Sequence, residues 1–576
     1  MRVLPRLVGL LALLAATALA QTGTGSITGR VQNVATSQYL VSARLTVRGT
    51  NLSTFTDNFG SYRLDGVPAG NVVLEAFYSG LDPQQAEVAV TAGGTAQRDF
   101  DLTNRALYGD RSSVVKLDAF VLSSSKLTEG EALATNEQRF APNIKNVVAT
   151  DAFGDVIEGN VAEFMKNLPG ITIEYSDVMP LAVSVRGFDP NQTNVTSDGA
   201  TLANASRNAT SRQFDFMQVS INNISRIEVT KVPTPANPAS GISGSVNMVS
   251  KSAFERSKAL LNYRVFVSAS SDGMMIKDQP FPYDTWEPRV NPGFDLDYTL
   301  PITKDFGLVF TALHSKAWNE QNISQTTWNA TAAGTGATPA KPFLQSHNII
   351  DAPKWYERNS TGLKLDWRVT PKSVLSVGFQ ATYYIDTNGN VNRTTSVGTA
   401  ATSTLAGGAP LTFGENFAHS ATGRGTAVFA ANLLHIDART LGSNARWRWQ
   451  DAGWTAELGG HASTSKTWMR HVSKGHFNTV GTALANPTGV RVDFDEITPQ
   501  GPRRITAFDQ NNRPLDLYDL RNFVLNTATD GAIRDHRDDT AGLDGSVKRG
   551  VSVFGIPASL QAGGLFRSQD REHRRQ

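Results

Sequence analysis

Alternation of apolar and polar residues with a period of two runs through residues 255–576 and limits the fold more than any other feature. The pattern is clearest at 261–267, 294–300, 306–312, 363–369, 375–383 and 445–458. Successive side chains of a β-strand point to opposite faces, so this pattern predicts strands with one apolar face. No stretch after residue 20 approaches the roughly 18 consecutive apolar residues that a membrane-spanning helix needs. Residues 255–576 are therefore predicted to form β-hairpins.

The connections between these predicted strands alternate in length. Short turns are expected at 301–305, 370–373 and 450–453, and long loops at about 270–292, 314–354 and 386–438. All 9 tryptophans follow residue 285, and Trp318, Trp355 and Trp468 lie near predicted strand ends. Short turns on one side, long loops on the other and aromatic residues at strand ends are typical of a transmembrane β-barrel. The alternative is a soluble β-sandwich with a polar exterior.

Residues 1–20 have the composition of a secretory signal peptide. Arg2 and Arg6 precede an apolar run at 7–14, and Ala18-Leu19-Ala20 is a small-x-small cleavage site. We expect cleavage before Gln21; the alternative is a membrane anchor, for which the apolar run is short. The chain has 0 cysteines, which excludes disulfides, thiolate metal sites, a cysteine nucleophile and a lipid-modified N-terminal cysteine.

Charge and motif content exclude two classes of function. Lys and Arg total 54 and Asp and Glu 52, so the chain lacks the basic excess of a nucleic-acid-binding protein. The sequence contains no Gly-x-Ser-x-Gly, His-Glu-x-x-His or Gly-x-x-x-x-Gly-Lys motif. We therefore expect no enzyme, no catalytic residues, no cofactor and no metal site.

Residues 25–103 are predicted to be a β-sandwich, because short strand-like runs alternate with turn residues. Gly29-Arg30-Val31 and the stretches 43–47, 56–62 and 67–70 resemble the carboxypeptidase regulatory-like domain, a resemblance that implies no peptidase activity. The module is expected to end near Thr103, with few contacts to the rest of the chain.

A linker follows at 104–135 and contains an isolated apolar strand, Leu117, Asp118, Ala119, Phe120, Val121, Leu122 and Ser123. Such a strand exposes unpaired backbone groups and can add to the sheet of a partner. The alternative, a strand that packs on its own domain, is equally compatible with the segment alone.

Residues 136–252 carry five motifs in order, at 161–173, 183–188, 195–199, 224–231 and 241–251. In this order and spacing they resemble the plug domain of TonB-dependent outer-membrane receptors. The motif residues are Arg186, Gly187, Phe188, Asp198, Gly199, Glu228, Gly241, Gly244 and Asn247. The 117–123 strand then lies where this family has its TonB box.

The resemblance implies a mainly β protein: an N-terminal β-sandwich, an α+β plug domain, and the first part of a transmembrane antiparallel β-barrel at 255–576. It implies the outer membrane of a Gram-negative-type bacterium, with the N-terminal domains in the periplasm and the barrel in contact with outer-membrane lipid. The implied function is active uptake, energised by TonB and its inner-membrane complex. A surface glycan-binding lipoprotein is a further implied partner.

The substrate is predicted to be an oligosaccharide. Val232 replaces the family's usual glycine and 233–238 is rich in proline, as in receptors used for carbohydrates. The alternatives are a ferric-siderophore receptor, a signalling receptor, and a surface-binding protein without transport. Substrate-binding candidates on the outward loops are Asp189, Asn191, Asn204, Arg207, Arg212, Trp318 and Trp328. Arg186 is expected to pair within the plug or with the barrel, and Asp198 to hold a turn.

About nine strands are predicted between Leu260 and Phe566, whereas plugged barrels of this family have 22. The strand at 558–566 is expected to end in the charged residues 567–576, without the terminal aromatic that such barrels carry. From these two observations we expect the chain to be a fragment of a longer receptor.

Overall fold

The computed structural model describes residues 23–104, 129–141, 143–150, 159–176, 179–206, 211–235, 237–238, 240–270, 288–451, 453–469, 477–485, 490–529, 534–553 and 556–575. The predicted signal peptide, the 117–123 strand and Arg207 lie outside these residues. Mainly β structure is confirmed throughout. No helix among the described residues is long and apolar enough to cross a membrane.

The N-terminal module is a β-sandwich, as predicted. Its strands are β1 (Thr24–Asn33), β2 (Gln38–Tyr39), β3 (Arg44–Val47), β4 (Ser53–Phe55), β5 (Ser61–Pro68), β6 (Gly70–Phe77), β7 (Gln84–Val90), β8 (Thr95–Gln97) and β9 (Phe100–Leu102). One sheet pairs β1 with β2, β5, β8 and β9, and the other has the order β4-β3-β6-β7. Alternate residues of each strand point inward, and Ile27, Leu45 and Leu74 are fully buried between the sheets.

The next domain is α+β. It contains helices α1 (Glu129–Phe140) and α2 (Val161–Met165) and strands β10 (Lys145–Ala149), β11 (Ile171–Ser176), β12 (Met179–Val185), β13 (Thr193–Ser197), β14 (Ala200–Thr201), β15 (Ile224–Thr230) and β16 (Gly244–Ser250). Strands β11 and β12 form a hairpin, and the other strands form a sheet in the order β10-β15-β16-β13-β14. Three-residue 3-10 helices begin at Pro190, Phe216 and Ala253. We call residues 129–252 the plug.

A large antiparallel sheet, here called the wall, follows. Its main path is β17 (Leu260–Ala269), β18 (Val290–Pro301), β19 (Phe306–Asn329), β20 (Phe343–Thr370), β21 (Ser373–Ser396), β24 (Thr426–Asp451), β25 (Trp454–Met469), β31 (Arg534–Val553) and β32 (Ile556–Arg575). Strands β26 (Thr479–Leu484) and β30 (Phe523–Thr529) extend it beside β24. The path has nine strands, and its short turns lie where the sequence places them. Among the described residues, this sheet is an open path with β17 and β32 as its ends.

One face of the wall touches the plug, and the other carries an exposed apolar band. Val265, Phe379, Leu458 and Phe566 are 78%, 51%, 56% and 69% exposed on that outer face. Large apolar side chains exposed in a continuous band require a non-aqueous neighbour, which fits the predicted membrane contact.

Tryptophans border this band at two levels. Trp355 and Trp367 lie on the outer face of β20, 12 residues apart, and Trp454 and Trp468 lie 14 apart on β25. Twelve residues span about 40 Å along a strand. For a strand tilted by about 40° from the membrane normal, this length covers about 30 Å along the normal. That height matches the hydrocarbon core of a bilayer, so the two levels fit aromatic girdles.

A separate five-stranded sheet lies at the long-loop end, and we call it the cap sheet. Its strands are β22 (Thr412–Phe413), β23 (Phe417–His419), β27 (Arg491–Thr498), β28 (Gly501–Phe508) and β29 (Pro514–Leu515). Phe343, Phe494 and Val492 are fully buried in a core that it shares with neighbouring connections. The long loops therefore fold into a structure of their own.

Three expectations from the sequence are wrong. The wall strands extend far into the predicted loops, because above a membrane both faces of a strand can be polar and alternation disappears. Strand β32 continues to Arg575, paired throughout with β31, instead of ending at Phe566. The expectation of few contacts between the sandwich and the rest of the chain is also wrong, since Ser257 N–H donates to Ser37 O at 2.8 Å and Arg63 lies 3.6 Å from Asp451 of the wall. The predicted domain boundary at 135/136 lies within helix α1.

Candidate functional site

The plug is built around helix α2. The Asn160 side chain caps the helix by accepting hydrogen bonds from the backbone N–H of Ala162 (2.8 Å) and Glu163 (3.4 Å). Pro169-Gly170 ends this segment, with Gly170 at φ +71°. Phe164 and Met165 pack into a core with the inward residues of β12, β15 and β16. The short helix and the following strand are confirmed.

Polar contacts join the plug to the wall. Buried Gln218 accepts hydrogen bonds from Ser465 Oγ (2.6 Å) and Thr440 Oγ1 (3.2 Å), and it donates to Thr467 Oγ1 (3.1 Å). Similar bonds at 2.7–3.2 Å link Asn204 to Asp538, Asn222 to Ser360, Asn223 to Gln380 and Ser252 to Asp366. Each such bond contributes about 0.5–1.5 kcal/mol net, because water can replace it. The interface also buries one apolar cluster, in which Met179, Leu181 and Met217 of the plug pack with Tyr356, Tyr384 and Ala438 of the wall.

Asp198 holds a turn and faces the wall. It has φ +50°, and its carboxylate accepts hydrogen bonds from the backbone N–H (2.9 Å) and Oγ (2.5 Å) of Ser250. The Lys364 ammonium of β20 lies 3.8 Å away. Burial alone would raise the pKa of Asp198, but Lys364 and the bonds from Ser250 outweigh it and hold that pKa below its usual range. Asp198 is therefore a charged anchor of the plug.

A second buried ion network lies close to Asp198 and Lys364. Arg226 of β15 is 3% exposed, and its guanidinium lies 3.0 Å from Glu137 of α1 and 3.2 Å from Glu228. Lys145 pairs with Glu228 at 2.9 Å. Burial raises the pKa of Glu137, whereas Arg226 and Lys145 outweigh burial at Glu228 and lower its pKa. Burial also raises the pKa of Glu255, which feels the Arg226 charge, to about 7.

The remaining motif residues shape the backbone. Arg186, at φ +57°, donates from Nε to Ser243 O (2.9 Å) and from Nη2 to Ile242 O (3.3 Å), which places it within the plug. A Cβ at Gly244, with φ +146°, would lie 2.7 Å from Thr230 O, so the close strand contact there requires glycine. Asn247 accepts the Gly199 N–H at 2.9 Å and ties the Asp198–Gly199 turn to β16.

The structure joins the two predicted outward loops. Asn191 Oδ1 accepts hydrogen bonds from Ser211 Oγ (2.8 Å), Arg212 N–H (2.7 Å) and Gln213 N–H (2.9 Å). Asp189 caps the same turn by accepting the Asn191 N–H at 2.8 Å. Asp189 and Asn191 therefore hold the loop, and the exposed Arg212 guanidinium is its available charged group.

Two predicted substrate contacts are buried instead. Asn204 is 5% exposed and bonds Asp215 and Asp538, because its loop packs against the wall. Trp318 is 3% exposed and packs with Leu433 and Trp355 on the wall. Trp328, in contrast, is 45% exposed near the end of β19. Of the two tryptophans, only Trp328 is open to a ligand in the described structure.

Sequence reasoning missed Glu137 and Gln218. Gln218 is a polar residue between apolar Met217 and Val219, whereas Glu137 lies between Asn136 and Gln138 and carries no such signal. Neither position identifies its partner, which lies 89 residues from Glu137 and 247 residues from Gln218.

Comparisons with known families agree with this geometry. The family model described as "Carboxypeptidase regulatory-like domain" matches residues 26–103, and that described as "TonB-dependent Receptor Plug Domain" matches residues 137–246. No curated protein matches the sequence significantly.

Similarity to solved structures is low. A cohesin–X-dockerin complex from Acetivibrio cellulolyticus is 20% identical over 14% of this chain and 56% of its own, with a TM-score of 0.12. The siderophore receptor PiuA from Acinetobacter baumannii (12% identity, 75% and 62% covered, TM-score 0.29) and the ferric enterobactin receptor PfeA from Pseudomonas aeruginosa (11%, 73% and 63%, 0.30) are also similar. The chain thus spans less than two thirds of each of these structures, and scores this low carry no argument about function.

Proposed function

We propose that this chain, which carries the plug domain of TonB-dependent outer-membrane receptors behind a carboxypeptidase regulatory-like domain, takes up an oligosaccharide with energy delivered by TonB. The observation that carries the proposal is the set of hydrogen bonds between the plug and one face of the wall, whose other face is apolar and exposed. Hydrogen bonds such as those of Gln218 exchange with water, so a pull on the plug can open a path while the wall stays embedded. The segment 117–123 is the proposed site of TonB pairing.

Amide side chains on the plug-facing side of the wall favour a neutral, hydroxyl-rich substrate. By strand alternation from Arg358, which donates to Met217 O of the plug, this side carries Asn319, Gln321, Asn388, Asn390, Asn392 and Asn432. The side-chain oxygens of Asn388 and Asn390 accept no hydrogen bond within the described residues. Buried acceptors require donors, and sugar hydroxyls supply them.

Two alternatives have weaker support. A ferric chelate would use charged groups, of which the plug-facing side of the wall carries Lys354, Arg358 and Asp386 and the plug loop carries the exposed Arg212. A surface-binding or signalling role would use the cap sheet, on which a glycan-binding lipoprotein is a further proposed partner.

Uptake by a receptor-deletion strain tests the substrate class. We expect cells that express the full-length receptor to accumulate labelled maltohexaose or xylohexaose, and deletion cells to lose this accumulation. Ferric citrate serves as the matched iron probe. Uptake of ferric citrate alone, induced only by iron starvation, would contradict the oligosaccharide proposal.

Replacing Trp328 with alanine should weaken oligosaccharide binding by up to about tenfold. The exposed indole offers a stacking surface, and such contacts contribute about 0.5–1.5 kcal/mol. Trp318→Ala is the matched control, because the buried Trp318 cannot touch substrate; it should lower thermal stability and leave affinity unchanged. Isothermal titration of the purified receptor measures both affinities. Equal affinity of Trp328→Ala and wild type would remove Trp328 from the site.

A further inference from the structure

Helix α1, the first element of the plug, also packs on the sandwich. Ala132 is buried in the sandwich core, and Phe140 packs on Phe55 with ring centroids 4.8 Å apart. Asn136 is fully buried; its side chain accepts hydrogen bonds from the N–H (3.4 Å) and Oγ (3.3 Å) of Ser79 and donates to Ser42 O. A buried amide with its partners satisfied fixes one orientation of the helix. Sandwich and helix therefore form one unit, here called the sandwich–α1 unit.

This unit covers one end of the plug. The helix contributes Glu137 to the ion pair with Arg226, and the sandwich turn 57–60 contributes Asn58 Oδ1, 3.5 Å from the same guanidinium. Phe59, in that turn, packs edge-on against Phe254 with centroids 5.5 Å apart. The unit therefore shields the buried charges of the plug from water.

The unit also reaches the wall at its short-turn end. Val374, next to the 370–373 turn, completes the cluster of Phe59 and Phe254. Arg63 lies 3.6 Å from Asp451 at the 451–454 turn. Gln38 forms an isolated antiparallel bridge with Arg256, in the connection between plug and wall. These contacts hold the unit against the short-turn end of the wall, at two neighbouring turns and at the connection between plug and wall.

The contacts that hold the sandwich–α1 unit to the wall are weaker than those that hold helix α1 to the sandwich. They consist of one apolar trio, one partly exposed ion pair, the Gln38–Arg256 bridge and the hydrogen bond from Ser257 N–H to Ser37 O, whereas α1 contributes a side chain to the sandwich core. On either side of the predicted TonB-contact segment, Asn104 donates to Gly80 O (2.9 Å) and Asn136 bonds Ser79. Both ends of the segment 105–128 are therefore bound at the sandwich turn that contains Ser79 and Gly80. A pulling force on this segment would reach the sandwich–α1 unit before the rest of the plug.

We propose that the sandwich–α1 unit is a second gate, on the short-turn side of the plug, which must leave the wall before substrate passes. This inference rests on the proposed uptake function. Displacement of the unit withdraws Glu137 from Arg226 and breaks the ion network of the plug. Release of the gate and loosening of the plug are then one event.

A disulfide across the gate tests this inference, since the chain has 0 cysteines of its own. Gln38→Cys and Arg256→Cys place two thiols at antiparallel bridge partners, whose Cα separation of about 4.5–5.5 Å suits a disulfide. Thr46→Cys with Ser53→Cys is the matched control, because these partners lie within the sandwich. Uptake of labelled maltohexaose, xylohexaose and ferric citrate is measured in cells before and after reduction.

We expect the oxidised 38–256 variant to lose at least 90% of its uptake and to recover it on reduction, while the 46–53 control keeps wild-type uptake in both states. Surface binding of the probes should be equal in all cells. Wild-type uptake by a fully cross-linked 38–256 variant would overturn the gate and leave the proposed function standing. A wild-type receptor without TonB-dependent uptake of any probe would overturn the proposed function, and the gate with it.

Discussion

Replacing Arg226 with methionine is expected to destabilise the plug by about 3–5 kcal/mol, the usual effect of removing one partner from a buried ion network. Glu137 and Glu228 would then lack their shared partner, and Glu255 would lose the main positive charge near it. Methionine fills much of the volume of the arginine side chain. The destabilisation therefore reports the loss of the charge and not the creation of a cavity. The midpoint of urea unfolding, followed by protease accessibility of the plug, measures it.

The loss of stability caused by Arg226→Met should increase with pH. Without Arg226 the buried carboxyls favour the protonated form, so their pKa values in the folded state lie above those in the unfolded state. The folded variant then binds more protons, and its stability falls as pH rises from about 4.5 through and beyond about 7, the pKa that Glu255 has while Arg226 is present. The deficit relative to wild type should be larger at pH 8 than at pH 5.

Lys166→Met is the control for this prediction. Lys166 also pairs with a plug glutamate, Glu163, but its side chain is 46% exposed. Exposed pairs contribute about 0–1 kcal/mol, so this variant should unfold close to wild type. Equal midpoints for the two variants would show that the Arg226 network does not stabilise the plug.

Replacing Ala119 with proline is expected to reduce energised uptake to the level of a strain without TonB. Proline removes a backbone donor and fixes φ near −65°, which prevents segment 117–123 from adding as a strand to a partner sheet. Substrate binding should be unchanged, since segment 117–123 contains none of the proposed substrate contacts. Uptake and surface binding of the same labelled probe, in the same cells, measure both effects.

Ser112→Pro is the matched control, because it places the same ring in the linker but outside the apolar strand. It should leave uptake intact. Full uptake by Ala119→Pro would show that TonB does not pair with this segment.

The sequence predicts best those elements whose signal is local. Alternation located part of eight of the nine strands on the main path of the wall, all but β31, because one face of each strand meets apolar surroundings and the other meets the plug. Turn residues located the short connections, and Pro169-Gly170 marked the end of the segment that contains α2. These features need only neighbouring residues, so no knowledge of distant partners was required.

Elements fixed by distant partners were missed. Helix α1 has few apolar positions, and Asn136 and Glu137 are buried in it only because Ser79 and Arg226 lie opposite. The cap sheet pairs Phe417 with Asp495 across a long stretch of Gly- and Thr-rich sequence, which locally resembles loop. Asn204 and Trp318 look like ligand contacts by residue type, but packing against the wall buries them.

Accumulation of a labelled oligosaccharide by cells with and without TonB tests the central claim most directly. Both strains carry the same amount of full-length receptor, and surface binding is measured in each as the reference. The account predicts equal binding in the two strains and accumulation only where TonB is present. Equal accumulation in both strains, or binding without accumulation in either, would contradict TonB-driven uptake.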